Sequence, residues 1–225
     1  AYALEGAKIV ISFLDEHDDD KKTAATIQEK KGEVYLIDGD IREEQHCKKI
    51  VDRTIKHFGN IDIIVNNAAF QMARDNIQDI SEEEWDKTFR TNIYAPFFLC
   101  RAAEKYLKPG SSVINTTSVN AYEPSESLVP YAATKGAIKN FTASMAQLWA
   151  KKGIRINAVA PGPVWTPLIP ATMPPEKVKN FGKGTPLGRP GQPAELAPTY
   201  VLLAREDSSY TSGATIEITG GRYTL

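Results

Sequence analysis

Short runs of β-branched and aliphatic residues alternate along the chain with longer stretches whose apolar positions recur at helical spacing. Six such runs, at residues 8–13, 34–37, 61–65, 112–117, 155–159 and 215–218, read as strands. Their near-continuous apolar content suits a parallel sheet buried on both faces. Helical patterns cover roughly residues 18–31, 43–58, 81–107, 130–151 and 193–204. The alternation predicts βα units wound into an α/β, doubly wound parallel sheet of the Rossmann type. Ser81 ahead of Glu82, Glu83 and Glu84 reads as a capping-box start with carboxylates at the positive end of the helix dipole. Gly32, Gly59 and Gly153 stand where helices should stop. No linker or repeat interrupts the series, so one domain over residues 1–225 is expected. Residues 161–193 break the pattern with nine prolines and five glycines. A loop that long is usually functional, and here it is expected to form a lid over substrate.

Composition narrows the class. The chain has 225 residues, 42% hydrophobic and 24% charged, enough for a sizeable core and unlike a disordered or disulfide-built chain. Lys and Arg number 27 against 28 Asp and Glu, leaving no basic excess for nucleic acid. Apolar runs fall far short of the ~18 residues a membrane span needs, and no signal-peptide pattern opens the chain, so a cytoplasmic setting is expected. There Cys47 and Cys100 read as reduced thiols rather than a pair. His17, His46 and His57 lack zinc-ligand spacing, and no metal is expected. The acidic run from Asp15 to Asp20, followed by Lys21 and Lys22, reads as a solvated helix N-terminus rather than a metal site.

Candidate chemistry gathers at strand ends. Tyr131-Ala-Ala-Thr-Lys135 puts a phenol and an ammonium four apart on one helix face. Taken alone, the spacing fits a surface pair equally well. Asn115-Thr-Thr-Ser118 closes the run at 112–117, 13 residues before Tyr131. Asn66-Asn67-Ala68-Ala69 and Pro161-Gly162-Pro163 follow two further strands. Ligands of open α/β sheets bind outside the carboxyl ends of strands, so these groups are expected at one crevice.

This set resembles the short-chain dehydrogenase/reductase family. Asn66-Asn67-Ala68-Ala69, Asn92 in Thr91-Asn92-Ile93, Ser118, Tyr131, Lys135, Pro161-Gly162 and Thr219-Gly220-Gly221 follow the family's order and spacing over essentially the whole chain. The runs at 160–170 and 189–198 resemble its bacterial general-stress-protein or glucose-dehydrogenase-like branch. The resemblance implies an NAD(P)-dependent oxidoreductase moving a hydride between a nicotinamide cofactor and an alcohol or carbonyl substrate, with Tyr131 as general acid/base. A free phenol titrates near 10, so work near neutral pH asks for roughly 4 kcal/mol of differential stabilisation. An exposed i,i+4 pair supplies only about 0.3–0.5 kcal/mol. Lys135 must therefore act in a partly water-excluded site, assisted by the positive charge of an oxidised nicotinamide.

The same resemblance distributes further roles. Ser118 either holds the substrate oxygen or is a turn hydroxyl, and Asn92 either positions a water beside Lys135 or is a satisfied helix amide. Asp40 either accepts from the adenine amine, with Ile41 beside it, or caps a helix. Asn66, Asn67 and Ala68 would lie along the adenosine ribose, and Pro161, Val164 and Thr166 would line the nicotinamide. Trp165, Leu168, Ile169, Met173 and Phe181 either line the substrate site or merely pack the lid down. A homotetramer is implied, with the helices at 81–107 and 130–151 at its interfaces. The alternative is a non-catalytic scaffold or sensor of the same fold.

Two departures bear on cofactor binding. Phe13 occupies the position of the acid that marks NAD enzymes, but the acidic run from Asp15 would repel an extra phosphate, which leans the choice to NAD over NADP. The family's first strand and its T-G-x-x-x-G-x-G turn have no counterpart here. Residues 1–6 read as the last turns of the first family helix, so the chain is expected to be part of a longer molecule. Without that strand the sheet's hydrogen-bonded ladder is expected to split.

Overall fold

The computed structural model describes residues 1–15 and 17–222, and Glu16 of the acidic run lies outside them. By its contacts the chain forms two compact units, Ala1–Ile61 with Phe97–Leu107, and Asp62–Pro96 with Lys108–Leu225. Among the described residues no helix is long and apolar enough to cross a membrane.

The first unit opens with a 3-10 turn at Tyr2–Glu5, and Gly6 closes it in the left-handed region. Then come β1 (Ile9–Phe13), α1 (His17–Glu29), β2 (Val34–Asp38) and α2 (Glu44–Phe58). β1 and β2 pair in parallel, from Ile9 opposite Val34 to Phe13 opposite Asp38. Gly59 ends α2 at φ 87°, as expected. At the end of α1 the left-handed residue is Lys31, φ 61°, and not Gly32. Gly32 is there for space, since a Cβ would stand 2.8 Å from Ile27 Cγ2.

The second unit contains β3 (Ile63–Asn66), α3 (Glu82–Phe89), the start of α4 (Ala95–Ala103), β4 (Ser112–Thr116), α5 (Val129–Trp149), β5 (Arg155–Pro161), α6 (Leu168–Thr172), α7 (Pro175–Lys179), α8 (Pro193–Ala204) and β6 (Thr215–Ile218). Its sheet runs β3-β4-β5-β6, all parallel. The six strands stand within two residues of their predicted bounds, and the ladder is divided into two and four strands.

The pattern at 81–107 breaks where one long helix was expected. Ser81 caps α3 by accepting the Glu84 N–H at 3.1 Å, but a π-helical turn at Arg90–Tyr94 separates α3 from α4. The cause is Pro96, which has no N–H to give the Asn92 carbonyl and whose ring crowds it. Residues 161–193, predicted irregular, hold the short helices α6 and α7.

Period-two alternation along β4 shows a helix on each face of this sheet. Ser112 Oγ donates to the Leu203 carbonyl of α8 at 2.9 Å, and Thr116 Oγ1 meets Tyr200 of α8 at 2.7 Å. The odd residues face α5. Asn115 Nδ2 donates to Thr142 at 2.9 Å, and Thr117 Oγ1 to the Lys135 carbonyl at 2.7 Å. Asn115 Oδ1 also accepts from Asn66 Nδ2 at 2.8 Å, so a wholly buried amide staples β3, β4 and α5 together. Replacing it with an apolar side chain strips buried partners on both sides, each worth about 1–3 kcal/mol. We expect Asn115→Leu to lower the unfolding free energy by roughly 2–4 kcal/mol in urea titrations. An unchanged midpoint would contradict the stapling role.

Candidate active site

Ser118 leaves β4 in extended conformation and caps the 3-10 turn Val119–Ala121, accepting the Asn120 N–H at 3.1 Å. The turn-hydroxyl role is therefore real. The same hydroxyl lies near enough to the phenol of Tyr131, in the first turn of α5, to favour its ionised form. Pro130, at the start of that helix, presets the backbone where no N–H is needed.

One turn on, Lys135 is only 3% exposed. Its Nζ donates to the Thr116 carbonyl at 2.7 Å and lies 5.2 Å from the centre of the Tyr131 ring. Among the described residues no carboxylate pairs with it. Burial alone pushes this amine down to about 8. Tyr131 moves the other way from its ordinary value. Burial raises it first, the nearby Ser118 hydroxyl works against that rise, and the nearby phenol of Tyr200 adds to it. A phenol ready to ionise at neutral pH is thus not a property of these residues alone, as the energetic argument required.

Asn92, 3% exposed, lies in the π turn, where its Oδ1 accepts from Phe70 N–H at 2.8 Å. Its Nδ2 donates to the Phe70 carbonyl and to Thr134 Oγ1, both at 2.9 Å. The side chain is thus a satisfied amide that pins the segment after β3 to α5. Pro96, four residues on, has no N–H to give the Asn92 main-chain carbonyl.

The residues expected along the dinucleotide divide by strand parity. Asn66 is buried, its side chain in the staple with Asn115. Asn67 and Ala68 are exposed, and Asn67 Oδ1 accepts from Thr116 Oγ1 at 3.0 Å. Pro161 ends β5, and Gly162 passes so close to β6 that a Cβ would stand 2.9 Å from Thr219 Cα. Val164 bridges to Gly191, and Thr166 offers its carbonyl to the N–H of Ile169 at 3.1 Å. In the first unit, both carboxylate oxygens of Asp40 bond Arg42, at 2.7 Å through Nε and 2.9 Å through the backbone N–H. That guanidinium holds the Asp40 carboxyl below its ordinary value. Ile41 offers its carbonyl to Cys47 Sγ at 3.1 Å.

The lid residues divide likewise. Ile169 is buried, whereas Trp165 is 42% exposed and meets the Phe181 ring at 6.2 Å. Contacts that sequence reasoning missed tie the segment 161–193 down: buried Gln71 donates to Thr172 Oγ1 at 2.9 Å, and Lys177 Nζ to Ser127 Oγ at 3.0 Å. No short-range pattern marks these pairs, which are up to 101 residues apart.

Comparison with known proteins follows the same lines. A family model described as enoyl-(acyl carrier protein) reductase matches residues 1–223. General stress protein 39 of Bacillus subtilis is 51% identical over 223 residues, covering 99% of this chain and 78% of the relative. Glucose and ribitol dehydrogenase of Daucus carota is 46% identical, covering 98% of this chain and 78% of that one. The NADPH-dependent aldehyde reductase 1 of Arabidopsis thaliana is 47% identical, covering 98% and 79%. Among solved structures, a short-chain dehydrogenase/reductase from Brucella melitensis described as a glucose/ribitol dehydrogenase superposes with a TM-score of 0.89 at 29% identity, covering 100% of this chain and 89% of its own.

Lys135 makes the site costly to fold around. Its amine titrates near 8 when folded and at 10.5 when unfolded. The unfolded chain therefore binds more protons between those values, and stability rises with pH across that window. At and below pH 8 the full penalty is present, roughly 3 kcal/mol. We expect Lys135→Met to melt above the wild type at pH 7, with the gap narrowing toward pH 10 in calorimetric scans. A gap that is absent, or that does not change with pH, would contradict this.

Proposed function

The chain belongs to the short-chain dehydrogenase/reductase family, and on that footing we propose that it is a nicotinamide-dependent oxidoreductase in which Tyr131 exchanges a proton with the oxygen of an alcohol or carbonyl substrate. The observation that carries the reading is a buried lysine with no carboxylate partner among the described residues, its Nζ 5.2 Å from the centre of the Tyr131 ring. A structural lysine would be expected to find a counter-ion or reach water.

The residues fit a bound dinucleotide. Lys135 meets one acceptor among the described residues, leaving two N–H donors for ribose hydroxyls. Asn67, Ala68, Pro161, Val164 and Thr166 remain its expected contacts in the second unit, and Asp40 and Ile41 those for adenine in the first. When bound, the dinucleotide supplies the hydride donor or acceptor.

The chain's own residues handle the proton. Ser118 donates to the substrate oxygen and orients it, while Tyr131 gives that oxygen a proton in reduction or takes one in oxidation. Lys135 stabilises the phenolate through a medium from which water is excluded. The Asn92 main-chain carbonyl, rather than its side chain, is the acceptor placed to hold a water for the return of the proton.

For the cofactor, the lean to NAD drawn from the acidic run finds no support among the relatives. One at 47% identity is NADPH-dependent by name, and a solved structure at 26% identity holds NADPH. We take NADP(H) as the partner. For the substrate, relatives named for glucose and ribitol and for aldehydes point to a polyol, sugar or small aldehyde. A homotetramer completes the reading, supported by apolar side chains left exposed on α3 and α5, Trp85, Val129 and Leu148.

We expect saturable quenching or energy transfer when the protein is titrated with NADPH, and a weaker response with NADH. Tyr131→Phe should bind NADPH within about three-fold of the wild type and lose at least ~100-fold in kcat, the usual scale of a general acid/base. Comparable turnover in both proteins would refute the role of Tyr131, and tighter NADH binding would restore the NAD reading.

A further inference from the structure

We infer that Tyr200 and Thr116 are positioning residues for the dinucleotide, together turning the side-chain amide of Asn67 so that its N–H donors face the cofactor's sugar–phosphate oxygens. The inference rests on the oxidoreductase reading above and adds two residues to it.

Asn67 follows β3 by one residue and, by strand alternation, lies on the opposite face from buried Asn66. It is exposed, and an exposed amide can turn over at little cost. Here its oxygen is engaged. Thr116 Oγ1 lies 3.0 Å from Asn67 Oδ1 and 2.7 Å from the Tyr200 hydroxyl. A carboxamide oxygen can only accept, and a threonine hydroxyl has one proton. That proton goes to Asn67, so Tyr200 must be the donor to Thr116. The chain of hydrogen bonds runs one way, from phenol through hydroxyl to amide.

The opposite arrangement is disfavoured by the chemistry of the phenol. If the amide turned over, Thr116 would accept from Nδ2, and its own proton would go to Tyr200 or, with Tyr200 still donating, have no acceptor among the described residues. A phenol oxygen, its lone pair drawn into the ring, is a better donor than acceptor. Burial also holds Tyr200 above its ordinary pKa, which keeps the proton in place. With Oδ1 turned inward, Asn67 Nδ2 has no partner among the described residues and offers two donors outward. Donors there select an oxygen acceptor, a ribose hydroxyl or a phosphate. Thr116 also lends its carbonyl to Lys135 at 2.7 Å, so one residue aligns both groups.

The test is a fluorescence titration of the whole chain with NADPH, paired with steady-state kinetics and thermal melts. Tyr200→Phe keeps the ring and removes the donor, and we expect NADPH Kd to rise roughly three- to ten-fold, the factor carried by one hydrogen bond. The KM for NADPH should rise by a similar factor. Thr116→Val should raise Kd by a similar factor, and the double variant no further, because both break one chain. Asn67→Asp keeps the inward acceptor but turns a carboxylate oxygen outward, and should weaken binding more than either. If Tyr200 only packs, Tyr200→Phe shifts Tm and leaves Kd unchanged, which overturns the inference. Independent, additive effects of the Tyr200 and Thr116 variants overturn it too. If the wild type binds no dinucleotide, the oxidoreductase reading fails and the inference falls with it.

Discussion

A single ammonium withdrawn from water organises the second unit. Lys135 is 3% exposed, meets one carbonyl, and has no carboxylate partner among the described residues. Such a group is tolerated only where the surrounding backbone is held firmly enough not to relax toward water. β4 holds the residue at two points: Thr116 accepts from its side chain and Thr117 donates to its carbonyl. The amide staple of Asn66, Asn115 and Thr142 fixes the same strand against the same helix. Stability given up at one residue is thus offset by hydrogen bonds within a few residues of it.

The placement of these groups follows from strand geometry. On β4 the odd residues build the interface with α5, and the even ones reach α8. Where the strand ends, that alternation delivers Thr116 to one face and Thr117 to the other, with Ser118 at the tip. The paired asparagines after β3 obey the same rule, one locked inside and one offered outward. Residue types that look redundant in sequence therefore do different work. A polar residue at a strand end acts on structure or on ligand according to its parity.

Much of this was legible before any coordinates. The β-branched runs marked all six strands, Ser81 marked a helix start, and the Tyr131/Lys135 spacing acquired meaning from Ser118 just upstream. The break in the helix at 81–107 was not recognised, though its cause, Pro96, stands in the sequence; apolar periodicity continues across the π turn and hides it. The burial of Asn66 against Asn115, 49 residues away, has no local sequence signal. The Gln71–Thr172 and Thr116–Tyr200 contacts join residues too far apart for any local pattern to reveal. The lean to NAD weighed only the charges of one helix start, and the relatives point the other way.

The central claim is that Tyr131 becomes acidic only when a positive charge joins Lys135 beside it, since burial, with the Tyr200 phenol adding to it, holds the phenol high. Ultraviolet difference titration of tyrosinate, with and without oxidised NADP, tests this directly. The account predicts that adding the oxidised cofactor moves one tyrosine to ionise at markedly lower pH, and that this component is missing in Tyr131→Phe. Titration curves that coincide with and without the cofactor would contradict it.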